Sequence, residues 1–351
     1  MKKVILLAGG AVAAILLGEL LARANEAYLD AVRPGHDAIP EILYYVPNHH
    51  TSYTNTPSMP ATFQRGPHNT LGFRGPEIAR EKPKGTYRIV VLGGSTAYGT
   101  RNAEEPACWP RVLEAELRRE NPSVEVVNAG VPAYNSGDAL ALLRSRVFAL
   151  SPDLVIFYGS ANDTIPRWFP EFRSDYTHMR TTWSRESRPI PRRRSTAIGR
   201  LLARLTAPPM PPSTPLRLLT SRHYHENVVL EREDFAKTTS AAFARNLRTI
   251  VDAVRGAGAA VLLATQHFQP EALDRELRER GAFYRQGLAE FGDATRRLAA
   301  EKNVVLADLE RSVPVVASEF DDFVHHNDAG ARRIALAMAE AIRRAGLVRG
   351  K

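Results

Sequence analysis

The sequence predicts an α/β fold: a five-stranded parallel sheet covered on both faces by helices. Two observations carry this. From Thr86 onward five short runs rich in β-branched residues, YRIVVLG (87–93), VEVVNAG (124–130), DLVIFYG (153–159), AVLLATQ (260–266) and VVLADL (304–309), are apolar on both faces, as fully buried parallel strands are. Between them lie stretches of helical periodicity, and strands alternating with helices imply parallel crossovers.

The helices are expected at Pro110–Glu120, Gly137–Leu150, Phe235–Gly256 and Tyr284–Glu301, with a last one from about Asp328 to Ala345. Pro110 suits the first helical position, and Val112, Leu113 and Leu117 form one apolar face. Between the third strand and the next helix, residues 164–234 carry nine prolines, from Pro166 to Pro215, and ten arginines against four acids between Asp163 and Arg204. So long a connection in one domain reads as a lid, a binding loop or a disordered segment. Its charge suits an anionic lipid surface or an acidic polysaccharide, or else a solvated loop with locally paired arginines. No recognition motif supports nucleic acid as a partner.

The first residues read as an export segment. Lys2 and Lys3 precede an uncharged apolar run from Val4 to Gly18, and residues 1–24 are expected to be a transmembrane anchor or a signal peptide. To Ala22 the segment makes roughly 28 Å of helix, enough to span a bilayer. Ala22-Arg23-Ala24 also fits a cleavage site, so the segment leaves anchor and signal both open. Either way the body is expected on the far side of a bacterial inner membrane, in the periplasm. The lone Cys108 rules out an internal disulfide. Residues 25–85, rich in turn formers, are expected to be an irregular lead-in with a short hairpin, packed on the main domain at 86–348.

In an open parallel sheet, chemistry collects beyond the carboxyl ends of the strands. The first strand ends in Gly93-Gly94-Ser95, the second in Asn128-Ala129-Gly130 and the third in Ser160-Ala161-Asn162-Asp163. After the fifth come Asp322 and His325. A serine hydroxyl needs a base, and a histidine held by a carboxylate is suited to be one. Asp322 lies three residues before His325, close enough for one turn to bring them together. The N–H groups of Ser95 and Gly130 and the amide of Asn162 are candidate oxyanion donors. No dinucleotide or P-loop motif and no metal-ligand spacing is present, so neither cofactor nor metal is expected.

Taken together, GGSTAYG (93–99), NAGVPAYNSG (128–137), SAND (160–163) and DFVHHNDAGARRIA (322–335) resemble the four blocks of the SGNH (GDSL-type) hydrolases. The stretch NTLGFRGPEIAREKPKGTYRIVVLGGST also looks like bacterial membrane-anchored members. The resemblance implies a three-layer α/β/α sandwich with a flavodoxin-like sheet. It also implies a catalytic set of Ser95, His325 and Asp322 with oxyanion donors Ser95, Gly130 and Asn162. Its expected activity is hydrolysis of an acyl ester, on an O-acetylated carbohydrate or a lipid. Two alternatives stay open: an O-acyltransferase, and a non-catalytic subunit or binding module of a membrane complex. The chain departs from the family pattern twice, with Gly94 where an aspartate is usual and Ser160 where a glycine is usual.

Overall fold

In the computed structural model of the chain, residues 10, 16–21, 23–24, 45–61, 66–102, 104–168, 172–177, 238–277 and 281–348 are described. A hairpin of β1 (Tyr45–Asn48) and β2 (Ser52–Asn55) lies in the lead-in. The main sheet contains β3 (Tyr87–Leu92), β4 (Val124–Asn128), β5 (Leu154–Tyr158), β6 (Ala260–Ala264) and β7 (Val305–Ala307). All neighbouring pairs are parallel, in the order β4-β3-β5-β6-β7. This is the expected five-stranded flavodoxin-like sheet. Its order reverses at β3, so the crevice between the ends of β3 and β5 is the natural place for a ligand.

The strand alternation divides the core. Val90, Leu92, Val155, Phe157 and Leu263 face one side, Ile89, Val91, Ile156 and Leu262 the other, and each set lies in its own buried cluster. The helices follow from the same burial. They are α1 (Ser95–Tyr98), α2 (Trp109–Arg118), α3 (Ser136–Leu142), α4 (Ala241–Gly256), α5 (Pro270–Leu277), α6 (Gly281–Lys302), α7 (Leu309–Ser312) and α8 (Asp328–Arg344). Leu113 and Leu117 of α2 and Ile334, Met338 and Ile342 of α8 cover one face. Phe243 and Leu247 of α4 and Phe291 and Leu298 of α6 cover the other, together with Tyr45 and Tyr53 of the hairpin.

Several expectations shift. The helix expected over Gly137–Leu150 is regular only to Leu142, then loosens into a π turn (Leu143–Val147) and a 3₁₀ turn (Phe148–Leu150). Helix α4 begins at Ala241 rather than at 235. The start of the expected lid belongs to the core: Ala161–Trp168 is a 3₁₀ helix in which Thr164, Ile165 and Arg167 are buried. Arg167 fixes it there, donating to Thr238 Oγ1 and Thr238 O at 3.0 and 2.8 Å and pairing with Glu290 at 2.8 Å. The rest of that segment, apart from residues 172–177, lies outside the described residues, as does most of the expected anchor. Among the described residues no helix is long and apolar enough to cross a membrane.

At the foot of β3, Arg88 is fully buried and donates to Leu150 O at 2.8 Å and Ala79 O at 2.9 Å, while its Nε meets Glu125 at 2.5 Å. It ties the lead-in to the sheet at the end away from the crevice.

The packing of α4 is testable. Phe243 is inaccessible to solvent, with its ring 4.7 Å from that of Phe291 and 6.3 Å from that of Phe157. Phe243→Ala is expected to lower stability in urea by about 3–5 kcal/mol; an unchanged midpoint would show that this face is not a close-packed core.

Candidate active site

The turn after β3 is built from backbone contacts. Gly93 has φ +152°, a conformation that side chains rarely adopt, and a Cβ on it would lie 2.0 Å from Tyr158 O. A Cβ on Gly94 would lie 2.5 Å from Asn162 Nδ2 and 2.9 Å from Tyr134 O. The amide of Asn162 and the carbonyl of Tyr134 thus fill the space that a side chain at 94, where the first block usually has an aspartate, would enter. Ser95 then opens α1, where the N–H groups of a first turn have no acceptor within the helix. Trp109 Nε1 supports α1 from below by donating to Thr96 O at 2.9 Å.

His325 reaches this turn on a long loop from β7. The loop is held by Gln269 N donating to Phe323 O at 2.7 Å and by Asp321 N donating to His325 O at 2.9 Å. Asn102, buried just beyond α1, donates to Asp328 Oδ1 at 3.1 Å and so joins the serine loop to the histidine loop. The outcome is a chain of three side chains. His325 Nε2 is 2.7 Å from Ser95 Oγ, and His325 Nδ1 is 2.7 Å from Asp322 Oδ2. Asp322 Oδ1 also accepts from the N–H groups of Val324 (2.9 Å) and His325 (2.7 Å). Burial alone would raise this carboxyl, but the charge and hydrogen bond of His325 and the two N–H groups outweigh it and hold Asp322 down to about 2. It is therefore an anion at any working pH.

The other candidates are placed as follows. Asn162 follows β5 and its Nδ2 donates to Tyr134 O at 3.0 Å. An amide carries two N–H donors, so one remains. The N–H of Gly130 donates to Asn128 Oδ1 at 3.0 Å, so it is not the uncommitted donor that the sequence suggested. Its glycine meets a different need: a Cβ there would lie 2.4 Å from Tyr98 N. The neighbouring loop includes Ala133 at φ +69°, unusual for a residue with a side chain.

His326 points away from Ser95 into the protein. Its Nε2 is 2.9 Å from His267 Nδ1, and the two rings are stacked with Phe320 against both. Burial first, and then the neighbouring imidazoles, push His326 down to about 3, so it is neutral. Asp163 is buried beneath Asn162 and accepts from Ser136 N at 3.0 Å and Ser136 Oγ at 2.5 Å. Burial outweighs these bonds and raises it to about 7. His49 and His50 lie on the β1–β2 turn, far along the sequence from this loop. Among the described residues no group of three or more His, Cys, Asp or Glu side chains is placed to hold a metal ion. Asn102 and the Asn128 side chain carry no signal in the sequence, Trp109 reads there as a packing residue, and Arg74 lies within the NTLGFRG stretch without a role.

Residues 91–333 match the GDSL-like Lipase/Acylhydrolase family, and the chain belongs to it. An arylesterase of Vibrio mimicus is 32% identical over 83 residues, 24% of this chain; the match spans 40% of that relative's length. A lipase/acylhydrolase from Enterococcus faecalis aligns at 18% identity and a TM-score of 0.47, covering 76% of this chain and 99% of that one. A catalytic mutant of an acetylxylan esterase from Geobacillus stearothermophilus aligns at 15% identity and 0.44, covering 77% and 100%.

Two predictions follow from the buried groups. The folded-state value of Asp163 lies above that of an unfolded aspartate, so its contribution is complete below about pH 4 and is lost as pH rises toward about 7. Asp163→Asn is therefore expected to flatten the decline in melting temperature between pH 4 and pH 7; an unchanged slope would mean that Asp163 titrates normally. Gly94→Ala is expected to displace Asn162 and lower ester-hydrolysis kcat by roughly 10²–10³ in a folded protein, measured with a short-chain p-nitrophenyl ester. Full activity would show that the Asn162 amide contributes nothing.

Proposed function

We propose that the chain is an exported serine ester hydrolase in which Ser95 is the nucleophile, His325 the general base and Asp322 its orienting anion. The observation that carries this is the continuous relay from Ser95 Oγ through both His325 nitrogens to Asp322, each link 2.7 Å. Export is inferred from Lys2-Lys3 and the apolar run behind them.

The geometry fits the following sequence. Ser95 Oγ attacks the acyl carbonyl carbon as His325 Nε2 takes its proton, and Asp322 stabilises the imidazolium through Nδ1–H. The oxyanion of the tetrahedral intermediate is met by the N–H of Ser95 and the remaining N–H of Asn162. Collapse breaks the C–O bond to the alcohol, which leaves with the proton from His325. Water, deprotonated by His325, then attacks the acyl-enzyme, and the acid departs as Ser95 regains its proton. O-acetylated carbohydrate or a lipid ester is the proposed substrate class. A transferase would share the first half-reaction and replace water with a sugar hydroxyl.

The test is labelling of the protein from residue 25 onward with a fluorophosphonate probe. Labelling is expected in the parent and absent in Ser95→Ala, and Asp322→Asn is expected to lower kcat on the order of 10³–10⁴. A well-folded parent that neither labels nor hydrolyses short acyl esters would sink the reading and favour the non-catalytic alternative. Product formation only with an added sugar acceptor would identify a transferase.

A further inference from the structure

Helix α1 is one turn long, and a single turn has too few internal hydrogen bonds to hold its own direction. Much of what fixes it comes from residues ahead of the family-matched span. Arg74 is only 2% exposed, and its Nη1 donates to Tyr98 O at 3.0 Å and Gly99 O at 2.6 Å, the carbonyls at the negative end of that turn. Its guanidinium lies over the Tyr98 ring, 4.7 Å from the centroid. His68 Nε2 sits 2.8 Å from the Tyr98 hydroxyl, and Arg74 N donates to Asn128 O at 3.2 Å. The segment is thus fastened both to the nucleophile turn and to the end of β4, where Asn128 Nδ2 also donates to Tyr98 O at 3.0 Å.

Arg88 also donates to backbone carbonyls but has Glu125 on its Nε, whereas among the described residues no carboxylate is hydrogen-bonded to Arg74. The side-chain hydrogen bonds of Arg74 go to two peptide carbonyls, while Nε and Nη2 make none. The nearby Glu105 carboxyl is engaged by Arg111 at 3.1 Å. Burying a charge carries a desolvation cost, so such a contact is a weak source of stability. What it supplies instead is direction: the Tyr98–Gly99 peptide is one turn from Ser95, and both Gly99 N and Thr100 N donate to Ser95 O. Tilting that peptide swings the serine about the turn.

We propose that Arg74 is a positioning residue for the nucleophile. The lead-in segment around it, outside the family-matched residues, sets the line along which Ser95 Oγ meets His325. The inference rests on the reading of Ser95 as nucleophile, and the experiment separates the two.

The full chain is compared with Ser95→Ala, Arg74→Met, Arg74→Lys and Ile342→Ala. For each, kcat and KM for a p-nitrophenyl ester are normalised to folded protein, and thermal unfolding is recorded. A misplacement of about 1 Å at a reacting atom costs roughly 10² in rate, so Arg74→Met is expected to lose about that factor in kcat with KM nearly unchanged. Arg74→Lys, which keeps a donor for the two carbonyls, is expected to recover about a tenth to a third of the lost rate. Ile342→Ala removes a fully buried side chain near the far end of α8, away from the lead-in, and is expected to lower the melting temperature while leaving kcat as it was. The proposal is overturned if Arg74→Met keeps the parent kcat, or if Ile342→Ala loses kcat in the same proportion. Should Arg74→Met fail to fold, Arg74→Lys carries the same test through its kcat against KM. Ser95→Ala as active as the parent overturns the nucleophile reading and the proposal with it; an inactive Ser95→Ala beside a fully active Arg74→Met overturns the proposal alone.

Discussion

The crevice is shaped by how closely the backbones at the ends of β3, β4 and β5 approach one another. Between Gly93 and the Tyr158 carbonyl, between Gly94 and the Asn162 amide, and between Gly130 and the Tyr98 N–H there is no room for even one methyl group. This crowding places Ser95 at the start of a helix that sits directly on the sheet edge. It also places the donor of Asn162 against the residue that precedes the nucleophile. The usual aspartate of the first block cannot be accommodated in such an arrangement. Gly94 and the seat of Asn162 therefore go together in this chain.

The same crevice sorts its titratable groups by environment. Asp322 and Asp163 are both substantially buried carboxyls, yet one is held near 2 and the other raised to about 7. The difference lies in the partners. Asp322 faces an imidazole that can carry positive charge and two backbone N–H groups; Asp163 is met by neutral donors from Ser136. Environment likewise separates the adjacent histidines: His325 reaches Ser95 while His326, stacked on His267, is kept neutral inside the protein. Two pairs of identical side chains thus acquire four different roles.

The strands were legible because their burial is two-sided, and each apolar run appears as a strand within a residue or two of its expected ends. Ser95, Asn162, Asp322 and His325 were legible because each stands just past a strand or in a tight turn where few other roles suit it. The commitment of the Gly130 N–H was not, since it depends on the Asn128 side chain folding back over two residues. Helix α5 was missed because its eight residues, PEALDREL, bury only Ala272 and Leu273, too few to set up a period. The early part of the expected lid was misjudged for a related reason: prolines and arginines suggest a solvated loop, but Arg167 finds acceptors inside the fold, and composition does not disclose partners seventy residues away.

Arg74 is the sharpest case of that limit. In the sequence it is one basic residue in a turn-rich stretch, and its value depends on two carbonyls that the fold delivers to it from α1. The family match begins at residue 91, within the last residues of β3. The orientation of the nucleophile turn in this chain draws on His68, Arg74 and Asn128 together, and two of these precede the shared region. A turn of four residues, crowded from below by Gly130 and gripped at its carbonyl end by a buried guanidinium, has little freedom to rotate. The functional unit accordingly includes the lead-in, and a body cut at the start of the family match would keep the nucleophile but lose the group that directs it.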